Sequence, residues 1–173
     1  MQSRLTLQLG DITAAKVDAI VSSAHENLLE GGPVHSAVHK AAGPGLMEEC
    51  ELLGDCPEGD ARISGAHDLP YAFIIHAVPP TWMDGNSGEL EMLSDCYRRA
   101  LDLARTRGAK SLAFPSLGSG TQPQIPLELA APVAIRTILS YLDEYSMPEK
   151  VVLVCFDVPT YQIHQKVLRE TLP

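Results

Sequence analysis

Basic residues are scarce in this chain: 13 Lys and Arg stand against 22 Asp and Glu, a formal charge of −9. A polyphosphate or an anionic membrane surface attracts a basic footprint. Nonspecific nucleic-acid binding and membrane attachment are therefore not expected. If an anion is held, it is not held by a field of lysines. No apolar run approaches the roughly 18 residues of a membrane span. The stretch from Met1 to Leu9 alternates apolar and polar residues and lacks the apolar core of a secretion signal. Cys50, Cys56, Cys96 and Cys155 form no C-x-x-C pair, and none lies beside His at zinc-finger spacing. Ordinary thiols in a reducing, cytoplasmic setting are expected, with no metal and no cofactor. Internal repeats, low-complexity tracts and dividing linkers are also missing.

What is present is ordinary globular material: 173 residues, 45% hydrophobic and 20% charged. That length suits one domain over 1–173 with a sizeable core. Thirteen Gly and 13 Pro point to long, shaped loops. Period-two alternation predicts a strand over Leu5 to Leu9, ended by Gly10-Asp11. Short apolar runs predict strands at Ala19 to Val21, Ala61 to Ile63, Ala72 to Val78, Ser111 to Phe114 and Val151 to Phe156. Helices are expected over Val34 to Ala42, Leu46 to Leu53, around Leu90 to Ala104, over Leu129 to Leu142, and from Tyr161 to Leu172. Glu89 and Glu91 suit the positive end of the third helix dipole, and Gly108 suits its C-cap. Pro132 inside a helix costs about 3 kcal/mol, so the fourth helix is expected to start near Pro132 or to kink there. Alternating strands and helices imply a sheet covered on both faces, with ligands at the carboxyl ends of its strands.

Three strand ends open into conspicuous loops. Gly10-Asp11-Ile12-Thr13 offers a carboxylate that can accept from an exocyclic amine or order an Asx turn; taken alone, the turn is favoured. Ser22 to His35 contains Gly31-Gly32 directly before a helix, where backbone N–H groups and the helix dipole favour an anion. Phe114-Pro115-Ser116-Leu117-Gly118-Ser119-Gly120-Thr121 is a second candidate phosphate cradle. It is neither a P-loop nor a G-x-S-x-G elbow.

Taken together, these segments resemble the macrodomain, the ADP-ribose-binding module. Seven motifs in order carry the resemblance: Gly10-Asp11-Ile12-Thr13, Val17-Asp18-Ala19-Ile20-Val21, Ala41-Ala42-Gly43-Pro44, Ile75-His76-Ala77-Val78, Phe114-Pro115, Ser119-Gly120 and Val154-Cys155-Phe156-Asp157. The chain is most similar to the bacterial branch of O-acetyl-ADP-ribose deacetylases and mono-ADP-ribosyl hydrolases. The resemblance implies an α/β fold, a three-layer α/β/α sandwich with a mixed, mostly parallel central sheet. It implies that Asp11 and the Ile12 backbone read adenine and that Phe156 packs against it. It also implies that Gly31, Gly32 and Val34 form one diphosphate loop and Gly118, Ser119, Gly120 and Thr121 the other, with Leu117 and Gln122 as further ligand contacts. Ser22, Ala24 and His25 would complete the ligand contacts. ADP-ribose or a related adenine nucleotide is the implied partner, free or carried on an ADP-ribosylated protein.

The departures fall on the distal half of that ligand. The family's Asn-Ala-Ala-Asn reads Ser22-Ser23-Ala24-His25, and its Gly-Gly-Gly-Gly-Val-Asp reads Glu30-Gly31-Gly32-Pro33-Val34-His35. His25 and His35 thus replace the asparagine near the distal ribose and the aspartate that positions water. They are either an acid/base pair or what remains after hydrolase function was lost, and the second is favoured. Pro33 removes one N–H donor. Glu30 either faces the pocket or points to solvent. His76 is read as a satisfied core histidine, His39, His67 and His164 as exposed, and Trp82 as packing a loop. The function expected is a reader or scavenger of ADP-ribosyl groups. The alternatives are a hydrolase of O-acetyl-ADP-ribose or ADP-ribosyl esters, and an interaction scaffold with a vestigial pocket.

Overall fold

A computed structural model describes residues 3–119 and 123–172. The strands are β1 (Leu5–Leu9), β2 (Ala19–Ser23), β3 (Ala61–Ser64), β4 (Phe73–Ala77), β5 (Ser111–Pro115) and β6 (Lys150–Cys155). The helices are α1 (Pro33–Ala42), α2 (Pro44–Leu53), α3 (Glu89–Thr106), α4 (Leu127–Glu144) and α5 (Val158–Thr171). A 3-10 turn, Ile12–Ala14, follows β1. The sheet order is β1-β6-β5-β2-β4-β3, parallel throughout except for β3, which runs antiparallel to β4. This is the mixed, mostly parallel sheet that was expected.

Because successive strand residues point to opposite faces, each strand feeds two cores. Val21, Ile75, Leu112, Phe114 and Leu153 face α3 and α4. Ile20, Ile74, Ala113, Val152 and Val154 face α1, α2 and the 3-10 turn. Helices therefore cover both faces, which gives the three layers. Asp18 sets the start of β2: its Oδ2 accepts from the Lys110 N–H at 2.8 Å, and its own N–H donates to Ser111 Oγ at 2.8 Å.

Element ends differ from the sequence reading where local chemistry extends them. β2 continues through the polar Ser22 and Ser23 because they pair with His76 and Ala77 in the β4 ladder. α5 begins at Val158, earlier than Tyr161, because Asp157 caps it, accepting from the Thr160 N–H at 2.9 Å. The expected start of α4 near Pro132 is corrected: the helix starts at Leu127 and runs past Pro132. Pro132 cannot donate to the Glu128 carbonyl. Apolar burial along the helix, at Ala130, Ala131, Ala134, Ile135 and Ile138, offsets that loss.

Candidate active site

β2 and β5 are neighbours in the sheet, yet α1 after β2 covers one face and α4 after β5 covers the other. The two loops part at their carboxyl ends and open a crevice, the usual ligand position in such sheets. A cavity of about 350 Å³ opens there, lined by Gly10, Asp11 and Ile12 after β1, by Val34 and Ala37 of α1, and by Phe156 after β6. A narrow cleft continues from it past Gly32, Val34 and His35 on one side and Pro115, Ser116 and Ser119 on the other. Neither is lined by Lys or Arg.

Asp11 orders the turn, one of the two roles its sequence context allows. Its Oδ1 accepts from the Thr13 N–H at 2.9 Å and from the Thr13 hydroxyl at 2.7 Å, which orders the 3-10 turn. Oδ2 has no protein donor among the described residues, and Asp11 lines the cavity. Phe156 is 49% exposed although aromatic, which leaves a ring face open to the cavity. Ile12 is buried, and its carbonyl accepts from the Tyr71 hydroxyl at 3.2 Å.

Gly31 and Gly32 turn the chain into α1. A Cβ on Gly31 would lie 2.5 Å from His35 Cβ and 2.7 Å from the Ser23 carbonyl oxygen, so only glycine fits. Gly32 is the N-cap residue and Pro33 the first helical residue, which suits proline. The N–H groups of Val34 and His35, in the first turn, are left without intrahelical partners. Opposite them, Gly118 has φ +84°, and a Cβ there would meet Ile125 Cδ1 at 2.6 Å. The Ser119 hydroxyl donates to the Ser116 carbonyl at 2.7 Å, which closes the turn. Leu117 lies in the core, its N–H donated to the Tyr97 hydroxyl at 3.0 Å. Gly120, Thr121 and Gln122 lie outside the described residues.

The remaining predicted contacts separate. His25 sits with Ala24, Glu26, Glu58, Thr81 and Pro123 around a cavity of about 200 Å³. Its Nδ1 is 3.8 Å from Glu30 Oε2, and the Glu30 side chain is 72% exposed and lines neither the main cavity nor the cleft. His35 is buried, and its Nε2–H donates to the Leu28 carbonyl at 3.3 Å. A carbonyl only accepts, so the neutral ring keeps its lone pair on Nδ1. Burial lowers the His35 pKa below its ordinary 6.5, against the raising effect of that hydrogen bond. No hydrogen bond joins His25 to His35 among the described residues. Ser22 is fully buried on the face of α1 and α2 and lines neither the main cavity nor the cleft.

The sequence reading missed Ser23, Ala37, Pro115, Ser116 and Val154 as lining residues. Ala37 lies three residues after Val34 on one helix face, a spacing that could have identified it. Ser116 is backed by the buried His164, whose Nε2 lies 3.4 Å from Ser116 Oγ and whose Nδ1–H donates to the Thr160 carbonyl at 2.8 Å. The readings of His39 and His164 as exposed are corrected: His164 is fully buried, and both ring nitrogens of His39 are shielded from solvent. His67 hydrogen-bonds Glu49 at 2.7 Å. Trp82 packs over Gly85, as a loop-packing residue would.

The Macro domain family model matches residues 21–134. A macro domain-containing protein of Methanosarcina mazei is 42% identical over 169 residues, 98% of this chain and 90% of that protein. A protein of Enterobacter cloacae named O-acetyl-ADP-ribose deacetylase is 41% identical over 174 residues, covering 98% of this chain and 96% of its own. Among solved structures, a variant of the Oceanobacillus iheyensis macrodomain with ADPR superposes with a TM-score of 0.90 at 34% identity, covering 95% of this chain and 91% of the other. With the crevice, the capped Asp11 turn and the two glycine loops in the order the motifs require, this chain belongs to the macrodomain family.

Proposed function

We propose that this chain binds ADP-ribose or ADP-ribosyl groups as a reader or scavenger. The observation that carries this reading is an exposed Asp11, its Oδ2 without a protein donor among the described residues, lining one cavity with the half-exposed Phe156. Adenine buries its faces against Phe156, Val34 and Val154, and its exocyclic amine donates to Asp11 Oδ2. The diphosphate lies in the cleft, where the unpaired N–H groups at the start of α1 attract it. The distal ribose extends toward Ala24, His25 and Pro123, the part of the site where this chain departs from the family pattern.

Calorimetry with ADP-ribose tests this reading. Asp11→Ala is expected to weaken binding about tenfold or more, the scale of one hydrogen bond to a charged acceptor. Asp11→Asn keeps an Oδ1 for the turn but offers the amine no second acceptor, so it too is expected to weaken binding. Absence of binding by the wild-type chain at high micromolar ligand overturns the proposal.

A hydrolase reading is favoured by one observation: the neutral His35 ring lines the cleft with its Nδ1 lone pair uncommitted. In that reading Nδ1 orients a water toward the distal ribose or its ester, and the Enterobacter relative's name supplies the substrate, O-acetyl-ADP-ribose. Turnover of that ester by wild type, lost in His35→Ala with ADP-ribose binding retained, supports it. Equal rates from both proteins, or none from either, remove His35 from catalysis.

A further inference from the structure

Behind the cleft, between α1, α2 and the sheet, the interior holds polar groups that nucleotide binding does not use. His39 of α1, Cys50 of α2 and His76 of β4 each bring one N or S atom to within 4.8 Å of the others. Cys50 and His76 are fully buried. Both ring nitrogens of His39, Nδ1 of His76 and the hydroxyl of Ser22 are shielded from solvent and have no hydrogen-bond partner. Ser22 is the β2 residue paired with His76 in the ladder. Buried polar atoms ordinarily find partners, and each one left bare costs on the order of 1–3 kcal/mol. Four around one spot point to something that binds there.

We propose that His39, Cys50 and His76 form a zinc-binding site. The donors decide the ion: two imidazoles and a thiol suit Zn²⁺, whereas Mg²⁺ and Ca²⁺ need the carboxylates this cluster lacks. Zinc bonds of about 2.0–2.3 Å set neighbouring donors roughly 3.5 Å apart. Cys50 Sγ lies 4.0 Å from the His76 ring at Nε2, and the three donors lie within 4.8 Å of one another, so the ring and the thiol must shift by about 1 Å to share an ion. Ser64 Oγ is 2.7 Å from His76 Nε2 and 3.0 Å from the Gly65 carbonyl, to which its hydroxyl donates. Ser64 then accepts from His76 Nε2–H, which leaves Nδ1 with its lone pair. A histidine whose other ring N–H is fixed by an oxygen is the common arrangement of a metal ligand. Water, or the unpartnered Ser22 hydroxyl on the strand beside His76, would take the fourth position.

The protonation chemistry agrees with this geometry. Burial, reinforced by the neighbouring histidines, lowers His39 to about 4 and His76 to about 3, so both are neutral ligands at pH 7. Burial raises the Cys50 thiol to about 11. Binding therefore breaks its S–H bond, forms the Zn–S bond and releases one proton to solvent. The structural consequence is a clamp. The ion would tie α1 to α2 and β4, and the His35 ring that lines the cleft packs on His39 with centroids 4.1 Å apart.

The test uses the full chain, free of any histidine tag and stripped with chelator. Titration with Zn²⁺ against a competing dye is expected to show one ion per chain with sub-micromolar affinity, and Mg²⁺ none. Cys50→Ala and His76→Ala are expected to weaken Zn²⁺ at least about 100-fold, beyond the loss typical of an outer-shell partner. Cys56→Ser, at a buried thiol outside the cluster, leaves affinity unchanged. Co²⁺ is expected to give a thiolate-to-metal charge-transfer band in the wild type. That band carries the test even where a ligand variant does not fold. No uptake of Zn²⁺, no charge-transfer band, or affinity that survives both Cys50→Ala and His76→Ala overturns the proposal.

Discussion

At the scale of single residues, the site depends on atoms whose neighbours come from distant parts of the chain. Gly31 is the sharpest case. It was legible as part of a glycine pair before a helix, but the reason for it is tertiary: the Ser23 carbonyl and His35 Cβ occupy the space a side chain needs. Gly31→Ala is expected to destabilise the fold by about 1–3 kcal/mol, the usual cost of overpacking. A thermal melt should show a Tm several degrees lower, with ADP-ribose affinity reduced because the α1 start moves. An unchanged Tm would mean that the loop relaxes freely. Asp11 shows the converse. Its sequence context leaves turn and ligand readings open; in the structure Oδ1 makes the turn, and the residue lines the cavity.

At the scale of elements, polarity and periodicity located helices and strands well, and misplaced ends where a single side chain overrides them. Glu89 lies in the first turn of α3, as its charge at the positive end of the dipole predicts, and it is also buried: its two oxygens accept from the backbone N–H groups of Gly85, Met83, Asp84 and Ser87 at 2.7–3.2 Å. These bonds, Gly85's foremost, lower its pKa from 4.5 to about 2. A depressed carboxyl pKa adds stability that is complete above pH 4.5 and lost as pH falls from 4.5 toward 2. Glu89→Gln is therefore expected to lower Tm at pH 7 and to flatten its fall between pH 5 and 2. Parallel Tm curves for the two proteins would refute the assignment. Pro132 teaches a related lesson. Propensity alone starts α4 too late, because burial of its alanine and isoleucine face outweighs one lost hydrogen bond.

At the scale of the molecule, the net charge of −9 and a cavity and cleft without lysine or arginine belong together. If backbone N–H groups and a helix start neutralise the diphosphate, little counterion is released on binding. ADP-ribose affinity should then change by less than about threefold between roughly 50 and 300 mM salt, in contrast to phosphate binding by basic side chains. A steep fall with salt would point to cationic side chains at the site. Among the described residues no helix is long and apolar enough to cross a membrane.

The sequence by itself determined the element order, the layered α/β class and the two glycine loops, because these follow from local periodicity, turn chemistry and motif order along the chain. Only the tertiary structure decided which side chains meet. It set His25 and His35 in different cavities, turned Ser22 into the core and stacked His35 on His39. It also gathered His39, Cys50 and His76, whose positions in the sequence match no metal-binding spacing. Contacts across a sheet depend on strand register and on the face each residue takes. Both are set by pairing between segments far apart in the chain, and a one-residue shift would reverse every face.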